Sequence, residues 1–262
     1  METPLREYVF SLRFESKWGQ NCYVIGEGKE LGCWRPNPSL RMIYTAKAFW
    51  TIKLQIPDTN LRYTYVVLDD FDPSKTILWE PRIDRELKKG QIPNTDDWGV
   101  GRKVQEIILP VIEKPIWRCP MPISRMFDPA GTIREEFEAL HFDVIVILAH
   151  KEELEYHTNR QLLPYYESLK IPIHVYEVDD MSVPPEFEEY GRLVNEIIDL
   201  IKEGKRVCVH CHSGTGRTGL FIACIWKKLT KKSAKEILEQ FNDTFHGALL
   251  TSDCLHYLHH FQ

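Results

Sequence analysis

Residues 207–219, VCVHCHSGTGRTG, combine a cysteine, an arginine and several glycines at a spacing that suits the chemistry of anions. The pattern predicts a strand, a glycine-rich turn and a helix, in that order. Such a turn directs several backbone N–H groups at one point, at the positive end of the helix dipole. The segment therefore predicts a site for an anion such as phosphate before any side chain is considered.

Four side chains of this segment supply the groups that a reaction at the anion would need. Cys211 stands at the mouth of the turn, where the amides, the helix dipole and Arg217 would stabilise its thiolate. Arg217 can hold a phosphate through two parallel N–H bonds. His210 is expected to orient the loop and to add to the stabilisation of the thiolate. The Thr218 hydroxyl is expected to stabilise the thiolate as it leaves.

The turn itself is expected to surround the phosphate. Its phosphate-binding residues are predicted to be His212, Ser213, Gly214, Thr215, Gly216 and Arg217. Gly214 and Gly216 permit a positive φ and leave room for the phosphate to approach. Together these elements describe a cysteine nucleophile that attacks phosphorus.

Three other interpretations of the same residues stay open at this stage. Residues 214–219 match the dinucleotide fingerprint G-x-G-x-x-G, but no acidic residue follows at the end of a second strand, as that fingerprint requires. A metal cluster would have to be built from His210, Cys211, His212, His256, His259 and His260, without a Cys-x2-Cys pair and with alternating residues of one strand that do not converge. The third interpretation is a structural glycine-rich turn around a buried cysteine.

The motif His210-Cys211-x5-Arg217-Thr218 resembles the signature of the cysteine-dependent tyrosine and dual-specificity phosphatases, over about residues 115–262. The resemblance implies a mainly parallel sheet flanked by helices, a phosphocysteine intermediate and no metal or other cofactor. It also implies a general acid on a mobile loop upstream, which points to Asp180, with Asp179 as the alternative.

The tyrosine-specific members of that family also position water with glutamines near the C-terminus. The matching stretch here, residues 248–254, contains none. This difference favours the dual-specificity branch and leaves the group that orients the water unassigned.

The elements that must position these residues alternate between helix and strand. Helices are predicted at 133–141, 154–169, 184–202, 219–229 and 233–241, and strands at 143–148, 173–178 and 206–210. Ser233 is a plausible cap of the last helix. Strands with continuous apolar runs between helices predict an α/β sheet that is buried on both faces.

The first hundred residues follow a different pattern. Short strands are predicted at 8–14, 22–25, 49–56, 62–68 and 76–79, with turn signals between them and no helical period. The chain is therefore expected to have two domains, an all-β sandwich at 1–105 and the α/β domain at 106–262. The linker is expected within about residues 88–122, which also hold a last strand.

Several tryptophans of the first domain stand beside glycine or proline in predicted turns. Trp18, Trp34 and Trp79 are examples, and flat rings there are candidates for stacking on sugars. The alternative for each is that it closes the end of the sandwich core.

The run of motifs favours sugar binding, because it is similar to the starch-binding modules of amylases over about residues 5–90. By that resemblance Trp34 and Trp79 form the main glucan site, and Trp18 with Tyr44 marks a second site. Trp50 is the core tryptophan, and Arg85 is counted with the carbohydrate-binding residues. Thr64 replaces a lysine that is frequent in the family, so a hydrogen bond to sugar is expected to be lost or replaced.

The order of the two domains resembles the laforin-like glucan phosphatases, whereas the loop residues His212 and Ser213 depart from the Asn-Ala of that group. The second domain also resembles phosphatases that act on cyclin-dependent kinases. The expected function is hydrolysis of phosphate monoesters on or near α-glucan such as glycogen or amylopectin. The alternatives are a phosphatase for phosphoproteins that is targeted to glycogen or starch, and a catalytically silent glucan-binding scaffold.

Composition excludes other classes of function. Lys and Arg number 33 against 38 Asp and Glu, for a net charge of −5 and no basic block, so nucleic acid is not an expected partner. No run approaches the roughly 18 apolar residues that span a bilayer, and the first residues lack a signal peptide's apolar region. Seven cysteines in a chain of 262 residues are expected to be reduced thiols, as in a cytoplasmic protein.

Overall fold

The computed structural model describes residues 4–72, 76–93, 95–109, 111–112, 114–244 and 251–261. The chain divides into two compact units, Met1–Gly101 and Arg102–Gln262. The domain boundary expected after residue 105 falls at the first residue of the strand Gln105–Ile108, which lies in the second unit.

The first unit consists of two β-sheets. Its strands are β1 (Leu5–Arg13), β2 (Gln20–Gly26), β3 (Ile43–Ala46), β4 (Phe49–Pro57), β5 (Leu61–Asp69), β6 (Thr76–Trp79), β7 (Arg85–Leu87) and β8 (Thr95–Asp97). One sheet has the order β3-β4-β1-β8, and the other has the order β2-β5-β6 with β7 paired to β5. The predicted sandwich is confirmed.

Alternation along the strands explains why the two sheets pack. In β1 the side chains of Tyr8, Phe10 and Leu12 are buried, while the residues between them face outward. These side chains join Val24 and Tyr65 of the other sheet in one apolar cluster. Burial of that shared cluster is what holds the sheets face to face.

The second unit contains one five-stranded sheet and seven helices within its described residues. The strands are β9 (Gln105–Ile108), β10 (Pro115–Cys119), β11 (Val144–Ile147), β12 (Ile173–Val175) and β13 (Val207–His210). The helices are α1 (Ile133–Leu140), α2 (Lys151–Thr158), α3 (Leu162–Leu169), α4 (Phe187–Lys202), α5 (Gly216–Thr230), α6 (Ala234–Thr244) and α7 (Ser252–His260). The strand order is β12-β11-β13-β10-β9, parallel throughout except for the antiparallel pair β9 and β10.

The continuous apolar runs of the strands divide between two cores, one on each face of this sheet. Val144 and Val146 of β11 pack with helices α4, α5 and α7, whereas Ile145 and Ile147 pack with α1, α2 and α3. The predicted α/β fold is therefore confirmed, and both faces of the sheet are covered as a parallel sheet requires. None of the helices in the described ranges is long and apolar enough to cross a membrane.

Two local predictions were wrong. The single helix expected at 154–169 is two helices, because Asn159 and Arg160 adopt positive φ values of 50° and 62° between α2 and α3. The helix expected from residue 219 begins three residues earlier, at Gly216. In contrast, Ser233 caps α6 as expected, since its hydroxyl accepts a hydrogen bond from Glu236 N at 3.3 Å.

Candidate active site

The loop of residues 211–217, here named the phosphate loop, leaves the carboxyl end of β13 and leads into α5. Since β13 lies in the middle of the sheet, this is the edge at which open α/β sheets bind their ligands. Cys211 follows the last residue of the strand and is only 1% exposed. The strand–turn–helix arrangement that the sequence predicted is therefore present.

Gly214 makes the tight turn of the phosphate loop. Its φ is +74°, and a Cβ at this position would overlap the Cys119 carbonyl and lie 2.7 Å from Pro120 N. The loop is thus pressed against the end of β10 so closely that a side chain has no space. The sequence also pointed to a positive φ at Gly216. That expectation was wrong, because Gly216 is the first residue of α5 and is not among the glycines with positive φ.

The first turn of α5 faces the phosphate loop with its amides uncapped. Thr215 precedes the helix, and no side chain of the described residues caps it there. The Ser213 and Thr215 hydroxyls, which could have served, bond to each other at 2.7 Å. A helix that begins without a cap leaves N–H groups for an anion to satisfy.

Arg217 is 4% exposed and is held by three acceptors. Its Nη1 and Nη2 donate to the two carboxylate oxygens of Glu153 at 2.8 and 2.6 Å, and Nη1 also donates to the Val178 carbonyl at 2.9 Å. Nη2 donates in addition to Asp180 Oδ1 at 3.1 Å. Burial disfavours the charge of Arg217, but Glu153, Cys211 and Asp180 outweigh it and raise the pKa of the guanidinium.

The arrangement around Arg217 decides how a phosphate can approach it. Glu153 takes the end of the guanidinium where Nη1 and Nη2 point outward together. The other fork, formed by Nε–H and the second N–H of Nη2, is the one that Asp180 partly occupies. A phosphate that takes this fork must displace Asp180.

The two adjacent carboxylates of residues 179 and 180 have different surroundings. Asp180 lines a small cleft of about 50 Å³ together with Cys211, Arg217 and the phosphate loop. Asp179 instead contacts His150 Nε2 at 3.0 Å and lines a separate groove of about 850 Å³. The geometry therefore favours Asp180, the first choice from sequence, as the acid that faces the nucleophile.

His210 is fully buried behind the loop and has a defined tautomer. Its Nδ1 lies 2.9 Å from the Cys211 carbonyl, so Nδ1 must donate, and Nε2 then accepts from the Tyr166 hydroxyl at 2.6 Å. Burial lowers the pKa of His210 to about 4. The residue can therefore orient the loop through its bond to the Cys211 carbonyl, whereas a pKa this low disfavours a positive charge on its ring.

Thr218 lies in the first turn of α5 and its hydroxyl is buried. Within the described residues this oxygen has no hydrogen-bond partner. A hydroxyl that is buried without a partner has an O–H to give to a group that enters the site, in keeping with the role expected for it at the thiolate.

His212 is half-buried and packs among aromatic rings. Its ring stacks on His157 with centroids 3.6 Å apart and meets Phe127 edge-on at 4.8 Å. Burial lowers the pKa of His212 to about 4. The partners Glu153 and His157 were missed by sequence reasoning. Their spacing of four residues places them on one face of α2, but it does not indicate which element that face meets.

Two groups of side chains within the described residues could each offer ligands to a metal ion, because the ligand atoms of each group lie within 4.8 Å of one another. One group is Glu153, His157 and His212, and the other is His150, Glu152 and Glu177. The cluster considered from sequence, which included the histidines of α7, is not among them. In the first group the two imidazole rings are stacked at 23°, and ring lone pairs lie in the ring planes. This geometry suits packing better than convergence on one ion.

The dinucleotide interpretation fails on the order of elements. That fingerprint needs a second strand with an acidic residue at its end, after the helix. Here α5 is followed by helix α6.

In the first unit, Trp18 and Tyr44 line one groove of about 790 Å³. Trp18 is 89% exposed and rests against Phe71 with ring centroids 5.3 Å apart. Tyr44 is half exposed and meets the buried Trp50 edge-on. An exposed indole and an exposed phenol along one groove form a surface on which sugar rings can stack.

Trp34 and Trp79 lie over a common face of β5. The Arg62 guanidinium lies 5.9 Å above the Trp34 ring, and Trp79 packs with Val66, which is its partner in the sheet. Arg62 and Val66 are four residues apart and therefore point to the same side of the strand. Both tryptophan side chains are partly exposed.

Arg85 was wrongly expected to bind carbohydrate. It is 8% exposed, and its guanidinium donates to Glu80, Asp96 and the Asp97 carbonyl. Thr64 belongs to the same buried network, since its hydroxyl donates to Glu80 at 3.2 Å. These groups hold the strands together and engage four of the five N–H groups of the buried Arg85.

Comparison with known proteins finds similarity for both units. Residues 7–97 match the family model of the starch binding domain, and residues 124–230 match the family model described as a polymorphic toxin system DSP-PTPase phosphatase. Cyclin-dependent kinase inhibitor 3 is 24% identical over 149 residues in Rattus norvegicus and in Homo sapiens, covering 55% of this chain and 70% of each relative. The crystal structure of a kinase-associated phosphatase, with its catalytic-site cysteine replaced by serine, has a TM-score of 0.55 and 20% identity over 60% of this chain and 92% of its own. That likeness shows the phosphatase fold.

Proposed function

We propose that this chain, which carries a starch-binding domain followed by a dual-specificity phosphatase domain in the order of the laforin-like glucan phosphatases, hydrolyses phosphate monoesters on or near α-glucan. The observation that carries the proposal is that Asp180, from a distant part of the chain, lines one cleft with Cys211 and Arg217 of the phosphate loop. These are the nucleophile, the phosphate ligand and the proton donor that the reaction needs.

The first step is attack by the Cys211 thiolate on phosphorus. The uncapped amides at the start of α5 and the Nε–Nη2 fork of Arg217 bind the phosphate oxygens and stabilise their charge. Arg217 is already held by Glu153, so it meets the phosphate without a search for its orientation. The S–P bond forms as the ester P–O bond breaks.

Asp180 has a role on each side of the phosphocysteine intermediate. A phosphate at the Nε–Nη2 fork of Arg217 displaces Asp180, which in its protonated form then gives its proton to the leaving ester oxygen. In the second step water attacks phosphorus, Asp180 accepts the proton of that water, and the S–P bond breaks. The Thr218 hydroxyl donates to the departing thiolate.

The family's glutamines, which orient the attacking water, have no counterpart in residues 248–254. Residues 248–250 of the matching stretch lie outside the described residues. Of the remainder, Thr251 and Cys254 line the cleft.

The starch-binding domain supplies substrate to this site by tethering. Two parts of one chain that engage the same polymer raise the local concentration of ester without any new catalytic contact. The exposed Trp18 and Tyr44 support binding of α-glucan such as glycogen or amylopectin, with Trp34 and Trp79 as the main site. All seven cysteines are free thiols, which supports a reducing compartment such as the cytoplasm.

The second candidate is a phosphatase for phosphoproteins bound to glycogen or starch, which is favoured by the relatives named for cyclin-dependent kinase. A catalytically silent scaffold is disfavoured by the complete set of Cys211, Arg217 and Asp180. The two enzymatic candidates differ only in what carries the phosphate.

Two measurements test the proposal. Cys211→Ser should abolish hydrolysis of an aryl phosphate while leaving amylopectin binding unchanged, and turnover that survives the substitution would contradict the phosphocysteine mechanism. Phosphate release should then be compared on phosphorylated amylopectin and on phosphopeptides at equal ester concentration. A preference for the peptides would favour the second candidate.

A further inference from the structure

Helix α2 contacts the phosphate loop near the start and at the end of the loop. Glu153 and His157 are four residues apart, which is about one helical turn, so they lie on the same face of the helix. Glu153 bonds to Arg217 at the end of the loop, and His157 stacks on His212 directly after the nucleophile.

We propose that His157 is a positioning residue, whose ring holds His212 in place and thereby keeps Cys211 and the loop amides aligned on phosphorus. This inference rests on the proposed phosphatase chemistry of Cys211. It adds a residue that touches neither the phosphate nor the nucleophile.

The loop is supported elsewhere by β10 and the residues that follow it. Arg118 donates to the Gly214 carbonyl at 3.1 Å, and Met121 N donates to the His212 carbonyl at 2.8 Å. These bonds hold the main chain. The side chain of His212 depends instead on His157, on Phe127 and on a contact of 3.4 Å between its Nε2 and the Ser124 hydroxyl.

His157 is itself held in place by the fold, so it can hold the side chain of His212. Its carbonyl accepts a hydrogen bond from Arg125 N at 3.0 Å, which ties the end of α2 to the segment after β10. The ring is half-buried, and burial lowers the pKa of His157, so that near pH 7 the stack pairs two uncharged rings. The charged groups that act on it are Glu153, Asp180, Arg125 and Arg217.

A matched pair of variants isolates the ring. His157→Phe keeps a flat ring over His212, whereas His157→Leu fills a similar volume without one. We expect the leucine variant to lose roughly tenfold to a hundredfold in kcat on an aryl phosphate, because small misplacements of reacting groups cost about that much. The phenylalanine variant should restore kcat, and Glu152→Gln, an exposed position of the same helix, should not change it.

A second readout separates positioning from simple loss of stability. The alkylation rate of Cys211 by iodoacetamide, followed by mass spectrometry of its peptide, should fall in the leucine variant and recover in the phenylalanine variant. The inference would be overturned if both variants kept the kcat and the alkylation rate of the wild-type protein, or if both lost them to the same extent. A wild-type protein without aryl phosphatase activity would instead overturn the proposed function.

Discussion

At the scale of single residues, the neighbouring carboxylates Asp179 and Asp180 differ in what they face. Asp180 bonds to Arg217 beside the nucleophile, while Asp179 contacts His150 on the other side of the loop. The peptide plane between two adjacent residues is enough to direct their side chains to different sites. The choice between them therefore depends on the fold of the loop.

This difference predicts unequal effects of the two amide substitutions. Asp180→Asn should lower kcat by about a hundredfold or more, because the leaving oxygen loses its proton donor. The loss should be largest for alkyl esters, whose leaving groups need the proton most. Asp179→Asn is the matched control and should retain kcat. Steady-state kinetics on a series of esters measures both variants, and a larger loss at position 179 would reverse the assignment.

A second prediction at this scale concerns the buried His210, whose pKa is lowered to about 4 by burial. As pH falls below the ordinary value of about 6.5, the unfolded chain binds a proton that the folded protein excludes. The free energy of unfolding should therefore fall between about pH 6.5 and pH 4, by up to about 3 kcal/mol from this residue. His212 acts in the same direction and window.

The free energy of unfolding can be measured as a function of pH by urea titration. Hydrogen exchange of the β13 amides then reports the same quantity close to His210. His210→Gln should flatten it, because glutamine does not titrate. His141→Asn is the control, since His141 is exposed at the end of α1 with φ 49°, a conformation that asparagine tolerates. An unchanged pH dependence in the glutamine variant would contradict the neutral, buried state of His210.

At the scale of elements, four elements meet at the phosphate loop and form the site. Strand β13 leads into Cys211, the start of α5 supplies amides and Arg217, and α2 contacts the loop through Glu153 and His157. Strand β10 packs against the loop as well, since Gly214 lies against its last residue. Each of these elements is anchored in at least one of the two cores, and this anchoring holds the loop in position.

This packing predicts that Gly214→Ala strongly lowers both activity and stability. A methyl group would collide with the main chain at Cys119 and Pro120 and would strain a φ of +74°. We expect a loss on the order of a hundredfold in kcat from the displaced loop, and about 1–3 kcal/mol of stability from the strained backbone. Aryl phosphate kinetics and thermal unfolding measure the two effects.

Gly191→Ala is the matched control for this prediction. Gly191 lies inside α4, where an added Cβ meets nothing within 4 Å. Alanine there should retain activity and raise stability by up to about 1 kcal/mol through its higher helix propensity. Full activity in the Gly214 variant would show that the loop has room to move.

At the scale of the whole molecule, the two units have separable tasks. The candidate sugar-binding aromatic residues lie in the first unit, and Cys211, Arg217 and Asp180 lie in the second. Sugar binding and hydrolysis of small esters should therefore be lost independently, while hydrolysis on a glucan should need both.

Substitution of the tryptophans tests this separation. Trp34→Ala with Trp79→Ala should remove most amylopectin pull-down, and Trp18→Ala should weaken it further, with aryl phosphate turnover unchanged. Ile92→Ala is the control, because Ile92 is an exposed apolar residue of the same unit outside the groove. Pull-down that survives all three tryptophan substitutions would contradict glucan binding through these rings.

The sequence alone determined the strand–turn–helix course of the phosphate loop and the fold class of each unit. The loop residues are consecutive, so their spacing along the chain is also their spacing in the site, and local backbone rules suffice. The periods of apolar residues likewise depend only on the geometry of a strand or helix. For these reasons the sandwich, the α/β sheet, Cys211 and Arg217 could be predicted.

The tertiary structure alone decided the partners that come from distant parts of the chain. Glu153 and His157 reach the loop only because α2 packs beside β13, and Arg85 is unavailable to sugar because folding buries it against Glu80 and Asp96. Contacts between residues far apart in sequence, and the burial that neutralises His210, arise from packing and leave no periodic signal in the chain.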